Sequence, residues 1–535
     1  MHRIFLIAEV LDLILEGLGG MYKGDYGQDV GNSDLISFAL TSKSVLELAL
    51  DHIWHTLPNI LPVVRCFPRE SELQGIQDTD GDRFPAVFLR APLSYREWER
   101  VMFYSKRVKV FANKFDIGTH PILLKALKDA PEPLFPNLLS FKWPLMGNPG
   151  DDMNLLDSFI SNRLFDLTIN GNGNDPGVVI ATLQTLPRAT VGVSLRSLKL
   201  NFSSNSHPDF LQSYRSFLRS MTTLESLGTS VDDQGTYADI AQLPNLRRLS
   251  LRITTKSAWP LDLLSTVQSP FPHLQTLSLW INTVNLSLFS RFLQLAHFDQ
   301  LESIYLRIPF FEGHSTTHRD PGSDFLGLAN TIATQCSTDQ LRHFSIDVTD
   351  AYFDMFNEYP TITAHHLLPL LGFKRMQGFS LNVDWKLDFD NTTLETIASS
   401  WPLLDYLSLA PRSSSKPPQI TFSGLQALRV CPNIVSFDSS FVDDVSSPES
   451  YESIDKGKLP KILSVSFLDV GDSELTNSHN MARYLAALFP NLEEISYDQG
   501  TPLGPPVQKP NWDSVNDYLS NPSNRNTDVA PLTLA

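Results

Sequence analysis

The chain has 535 residues, of which 42% are apolar and 19% charged, and its net charge is −17. That balance excludes wholesale disorder, which needs few apolar and many charged residues. The surplus of 59 Asp and Glu over 42 Lys and Arg argues against nucleic-acid binding by the surface as a whole.

The first 56 residues predict a helical module. Glu9–Leu18 places Val10, Leu11, Ile14, Leu15 and Leu18 at helical spacing, and Gly17, Gly19 and Gly20 end the run. Met21–Asn32 reads as a glycine-rich loop. Ser33 precedes a second amphipathic run with Leu35, Ile36, Phe38, Ala39 and Leu40, and a third extends from Ser44 to Leu57. Three helices this short are expected to have little core of their own. The apolar run at Ile4–Ala8 meets Glu9, Asp12 and Glu16 too early for a secretion signal, and no stretch has the length of a membrane span. Residues 57–135 read as a linker and a first irregular repeat. The basic stretch from Arg90 to Lys128 holds nine Lys and Arg against three acids. Charged outer faces of helices explain it more simply than a phosphate site does.

From residue 136 to about 500 one pattern recurs: a turn residue, often Pro, then L-x-x-L-x-L. It is clearest from Leu246, Leu274 and Leu404, with looser copies from Leu138, Leu164, Leu195, Leu224, Leu301, Leu341, Met376, Ile434, Ile462 and Leu492. The period is about 30 residues, at the long end of the leucine-rich-repeat range. Each alternating core predicts a short strand with one buried face. Helical patterns lie between, as in Phe210, Leu211, Tyr214, Phe217 and Leu218, or Leu288, Phe289, Phe292, Leu293 and Leu295. Strand, helix and parallel strand make a right-handed crossover. The expected fold is therefore α/β: a helical module, then a solenoid with a curved parallel sheet inside and helices outside. A doubly wound α/β domain is the alternative, and the fixed period argues against it.

Two irregular stretches interrupt the repeats. Phe311–Ser323 reads as an inserted loop, and Phe441–Lys456, with Asp443, Asp444, Glu449, Glu452 and Asp455, as a solvated acidic loop. Residues 501–535 read as a Pro-rich tail with a short helix from Trp512 to Leu519, disordered from Asn521 onward.

The x positions of the motif point away from the core. The x between the last two apolar residues is Ser at positions 250, 278, 345, 380, 408, 466 and 496, as suits a crowded, inwardly curved sheet. The outward positions of the units from Leu246, Leu274 and Leu301 differ: they include Arg248, Arg252, Trp280, Tyr305 and Arg307. Trp, Tyr and Arg dominate binding hot spots. On an acidic chain this patch predicts an acidic or phosphorylated protein partner. The alternative is that Trp280 caps the core and the arginines are only solvated.

The N-terminal module resembles the F-box family. Leu6-Ile7-Ala8-Glu9-Val10-Leu11 resembles its opening motif, Asp34-Leu35-Ile36-Ser37-Phe38-Ala39-Leu40-Thr41-Ser42-Lys43 its middle, and Ala49-Leu50-Asp51-His52-Ile53-Trp54 its closing Ala-x-x-x-Leu-Trp. Trp98, Phe103 and Tyr104 leading into Arg107-Val108-Lys109-Val110 resemble the first repeat of fungal-type F-box proteins with divergent leucine-rich repeats. The sequence departs from the family at Ala8, where Pro is usual, and in the long loop at 19–32. The resemblance implies the substrate receptor of a cullin-based, SCF-type ubiquitin ligase. Its helices would dock on a Skp-type adaptor through Leu6, Ile7, Glu9, Val10, Ile14, Leu35, Phe38 and Lys43, and its repeats would hold a protein substrate. A repeat scaffold with a vestigial F-box is the alternative.

No enzyme constellation emerges, so the expectation is a non-enzyme without cofactor, metal, nucleic acid or membrane partner. Asp78-Thr79-Asp80-Gly81-Asp82 lacks the Gly and Glu of a calcium loop, having Arg83 and Leu89 there. Gly171–Gly177 has Pro176 where a dinucleotide-binding turn needs Gly. His318-Arg319-Asp320 lacks the Asn of a kinase loop, and His314, His318, His365 and His366 lack further metal-ligand partners. Cys66, Cys336 and Cys431 form no CxxC pair. They fit a reducing compartment, cytoplasmic or nuclear.

Overall fold

A computed structural model describes residues 8–20, 32–68, 72–79, 82–89, 93–112, 127, 129–144, 159, 161–171, 176–189, 193–202, 208–231, 233–253, 270–281, 286–308, 321–348, 361–383, 386–409, 419–447, 459–471, 473–497 and 512–520. The chain forms two compact units, Met1–Asn245 and Leu246–Ala535.

The first unit opens with three helices, α1 (Ala8–Gly20), α2 (Asn32–Ala39) and α3 (Lys43–His55). Each contributes one i, i+4 pair to a shared core: Leu11 and Leu15, Leu35 and Ala39, Val45 and Ala49. That spacing puts both members of a pair on the same helix face. The module thus has an apolar centre, contrary to the expectation from its length. Asp12 and His52 Nε2 share a 2.6 Å hydrogen bond that ties α1 to α3. Ser42 caps α3 by accepting from the Ser44 amide. The chain runs straight from α3 into the Thr56–Leu57 strand. Two side-chain contacts fasten α3 to the segment around residue 104. Trp54 stacks on Tyr104 of the Tyr95–Ser105 helix with ring centroids 4.8 Å apart. Arg107, its side chain almost fully enclosed, pairs with both Glu47 and Asp51 of α3.

Six parallel strands are found among the described residues of this unit: Thr56–Leu57, Val110–Phe111, Ser140–Pro144, Asp166–Asn170, Ser197–Asn201 and Ser226–Val231. The last four are the strands expected from Leu138, Leu164, Leu195 and Leu224. The first two lie in or at the edge of the stretch read as linker, which also holds an antiparallel hairpin of Glu72–Thr79 with Asp82–Leu89. Thr79 pairs in register with Asp82, and Asp80 and Gly81 of the acidic run that mimics a calcium loop lie outside the described residues.

The second unit carries eleven parallel strands among its described residues: a run of nine, Arg248–Ile253, Thr276–Ile281, Ser303–Ile308, His343–Val348, Gly378–Asn382, Tyr406–Leu409, Ser436–Ser439, Phe467–Asp469 and Glu494–Ser496, and a separate pair, Thr361–Thr363 with Lys386–Asp388. Burial alternates along them, as at Thr276–Ile281, where Leu277, Leu279 and Ile281 are buried and Thr276, Ser278 and Trp280 are not. The helix faces follow the sequence pattern in part: Leu211, Leu288 and Leu295 are only half-buried, and Leu286 is buried instead. Leu286, Phe289, Phe292 and Leu293 are buried on Leu286–Leu293, and Phe210, Tyr214, Phe217 and Leu218 on Pro208–Ser220 in the first unit. Both units therefore have the leucine-rich-repeat architecture, one face of each strand buried with the helices.

The structure corrects several expectations. The unit read from Ile462 begins at Val465: Phe467 pairs with Ser436 and Glu494, and the buried residues are Val465, Leu468 and Val470. Asp469, not Ser466, therefore occupies the column that holds Ser408 and Ser496 in their own strands. The start of the acidic loop is built into the fold. Asp444 accepts from the Ser423 amide at 3.0 Å, and Asp443 from the amides of Ser446 at 2.9 Å and Thr476 at 2.6 Å. Glu449, Glu452 and Asp455 lie outside the described residues. The helix in the tail, Trp512–Ser520, is docked, with Trp512, Val515 and Leu519 buried. The helix after the inserted loop starts at Pro321, within the stretch read as loop; His314 and His318 lie outside the described residues.

Candidate interaction surfaces

Two surfaces carry the residues singled out from the sequence. The first is the helical module. Leu6 and Ile7 lie outside the described residues. Glu9 and Lys43 are exposed, while Val10, Ile14 and Phe38 are half-buried. Leu35 is a correction: it is 3% exposed and belongs to the module's own core, where it packs with Leu11, Leu15 and Ala39. An adaptor cannot reach it without unfolding the module. Among the module's described residues, the large apolar groups open to solvent are instead Leu13 at 68%, Ile36 at 46% and Leu40 at 78%. Ile36 and Leu40 are four residues apart, and the Leu40 amide continues the helical pattern by donating to the Ile36 carbonyl at 3.1 Å. The signal for them was present in the sequence: once the i, i+4 pairs are assigned to the core, the remaining apolar positions must face outward.

The second surface is the side of the strands opposite the buried leucines. In the second unit Arg252, Trp280 and Arg307 are direct register partners on adjacent strands. Tyr305 pairs in register with Ser278 and Ser345 in the neighbouring column. Trp280 is half-buried on this face, so the alternative in which it caps the core does not hold. The Arg307 guanidinium lies over its ring, 4.7 Å from the centroid, a cation–π geometry. The Trp280 indole N–H donates to Ser278 Oγ at 3.3 Å. Arg307 also meets Asp347 at 3.3 Å, and Asp347 accepts from Asn382 Nδ2 at 3.0 Å. Two neighbours thus hold Arg307 in place, while Arg248 and Arg252 are exposed and make no ion pair among the described residues. Tyr305 is 41% exposed despite its bulk. The patch read from the sequence is brought together as five side chains on three adjacent strands; Asp347 and Asn382 are its unforeseen support, in the same column on the next two strands.

His366 accepts from the Thr363 amide at 3.0 Å and caps its helix, and His365 lies beside it with ring centroids 6.0 Å apart. Among the described residues no group of three His, Cys, Asp or Glu is placed to hold a metal ion. Burial pushes the thiols of Cys66 and Cys431 up to about 11 and that of Cys336 to about 12. No described helix is long and apolar enough to cross a membrane.

The class that this geometry defines is a leucine-rich-repeat protein with an N-terminal helical module. No family model matches the sequence, and no curated protein matches it. Among solved structures, an internalin from Listeria monocytogenes is similar, with 14% identity over 71% of this chain and 94% of that one and a TM-score of 0.34. The architecture rests on strand register and burial in this chain, not on that likeness.

Proposed function

We propose that the chain is a two-ended protein-interaction subunit: the N-terminal helices dock on a Skp-type adaptor of a cullin-based ubiquitin ligase, and the repeats hold a protein substrate. The observation that carries the adaptor end is the three-helix module itself. It has the order of the F-box motifs, a closed core of six residues, and apolar side chains at Leu13, Ile36 and Leu40 left over for a partner. Exposed leucines and isoleucines on one short helical module favour packing into an apolar groove, at about 25 cal/mol per Å² covered.

The substrate end rests on the Arg252, Trp280 and Arg307 column. The ligase reading assigns no chemistry to this chain; it holds a substrate near the conjugating machinery and raises its effective concentration there. Co-elution of the purified full-length chain with a purified Skp-type adaptor as a 1:1 complex supports the adaptor end; separate elution at micromolar concentrations contradicts it. A second reading, a repeat scaffold without ligase partners, keeps only the substrate end. The burial of Leu35, an expected adaptor contact, favours it, and the same co-elution decides between the two.

A further inference from the structure

The open face of the second unit separates its charges along the strand order. Outward positions of its first three strands carry Arg248, Arg252 and Arg307 and no acid. Outward positions of its last three carry Asp438, Asp469 and Glu494 and no base. In the strands between, Ser345, Ser380 and Ser408 share one register column; Ser380 and Ser408 are buried, and Ser408 donates to Asp438 at 2.8 Å. Asp347, held by Arg307 and Asn382, marks the border.

The two ends do not neutralise one another. Six strand spacings separate the middle of one from the middle of the other, about 29 Å at ~4.8 Å per strand. That is well beyond the ~8 Å screening length at physiological salt. Charges placed only for solubility need no such order. The positive end also carries Trp280 and Tyr305, which supply contact area, and the serines between keep the floor low.

We propose that this face seats an extended peptide segment of a protein partner, laid across the strands with its acidic residues over the Trp280 end and its basic residues over the Asp469 end. This rests on the substrate-binding role proposed for the Trp280 patch and adds a polarity and a length. An extended chain rises about 3.3 Å per residue, so the two charge clusters of the partner are about nine residues apart. Opposite order, or charges mixed along the segment, sets like charges against each other and costs affinity.

The test uses the full-length chain and labelled 13-residue peptides in fluorescence anisotropy at about 50 mM salt, where charge contacts are least screened. One peptide carries four Glu, a five-residue Ser/Ala spacer and four Lys; a second has the same composition with the charges alternating; a third has the four Glu and spacer alone. The block peptide is expected to bind at least tenfold more tightly than the alternating one. Arg252→Glu and Glu494→Lys, both at exposed positions, are each expected to weaken it about fivefold. Equal affinity for block and alternating peptides overturns the proposal. If Trp280→Ala and Arg252→Glu weaken binding but Glu494→Lys does not, and the acidic peptide binds as well as the block peptide, the polarity is wrong and the Trp280 patch stands. If none of the three substitutions changes binding, the patch reading falls with it.

Discussion

Single residues decide where this chain is closed to chemistry. All three thiols are buried, and Cys431 Sγ donates to the carbonyls of Ala398 and Trp401, each at 3.5 Å. A neutral buried thiol is a poor nucleophile. In native buffer at pH 8, a disulfide reagent is therefore expected to titrate none of the three, and all three once denaturant is added; rapid reaction of the folded protein contradicts their burial. The same burial gives a sign for alkaline stability. Folded values of about 11 to 12 lie above the ordinary value of 9.0, so the unfolded chain loses these protons first. Tyr484, pushed up to about 12 by burial, acts in the same direction. The stability they contribute is fully present below pH 9 and is lost as the pH climbs toward 12. The urea midpoint is expected to fall between pH 8 and pH 10.5; a midpoint that holds or rises contradicts the assignment. In the first unit, Asp239 is buried and receives Arg215 at 2.7 Å and Arg219 at 2.8 Å, joining two consecutive helices, Pro208–Ser220 and Gln234–Ala241. Both arginines are partly solvated, which weakens each pair. Asp239→Asn is expected to cost about 1–2 kcal/mol in chemical denaturation. A loss under a few tenths would make the pair ornamental.

At the scale of elements, the repeat was legible because each unit writes its strand as L-x-x-L-x-L. The motifs from Leu138 to Leu492 each lie at a strand. The one slip has a plain cause. Ile462-x-x-Val465-x-Phe467 and Val465-x-x-Leu468-x-Val470 both fit the pattern, and only pairing with Ser436 and Glu494 selects the second. Among the strands that were not legible, Thr56–Leu57 and Val110–Phe111 are two residues long, too short to show alternation. Leu35 was misplaced because an apolar helix face looks the same whether its partner is a neighbouring helix or another protein. The helix at Trp512–Ser520 was legible as a helix but not as a cap. Its Asn516 side chain accepts from the Ile495 amide at 3.0 Å and donates to the Ile495 carbonyl at 2.9 Å. It thereby serves the Glu494–Ser496 strand, the last described strand, as a further strand would. Trp512 anchors the helix by donating to the Ser473 carbonyl at 3.0 Å. An uncovered strand edge invites pairing with other chains. Asn516→Ala is expected to speed hydrogen exchange of the Ile495 amide at least tenfold and to lower stability by about 1–3 kcal/mol. Unchanged protection of Ile495 would show that the edge is held by something else.

At the scale of the whole molecule, the two proposed binding ends can be tested separately by single residues rather than by domain deletion. At the repeat end, Trp280→Ala with Arg252→Glu is expected to abolish capture of a substrate and to leave the thermal midpoint within about 2 °C, because neither side chain is in the core. A large drop in midpoint would move the patch from binding to packing. The helical end supplies the central claim, and its residues can be changed without touching the module's six-residue core. The most direct measurement is a calorimetric titration of the full-length chain with a purified Skp-type adaptor, run on the native protein and on an Ile36→Asp, Leu40→Asp variant whose circular dichroism matches it. The expected result is saturable 1:1 binding by the native chain, at least a hundredfold weaker binding by this variant, and unchanged binding by the Trp280→Ala, Arg252→Glu variant. No binding by the native chain, or equal binding by the Ile36→Asp, Leu40→Asp variant, would contradict the adaptor role.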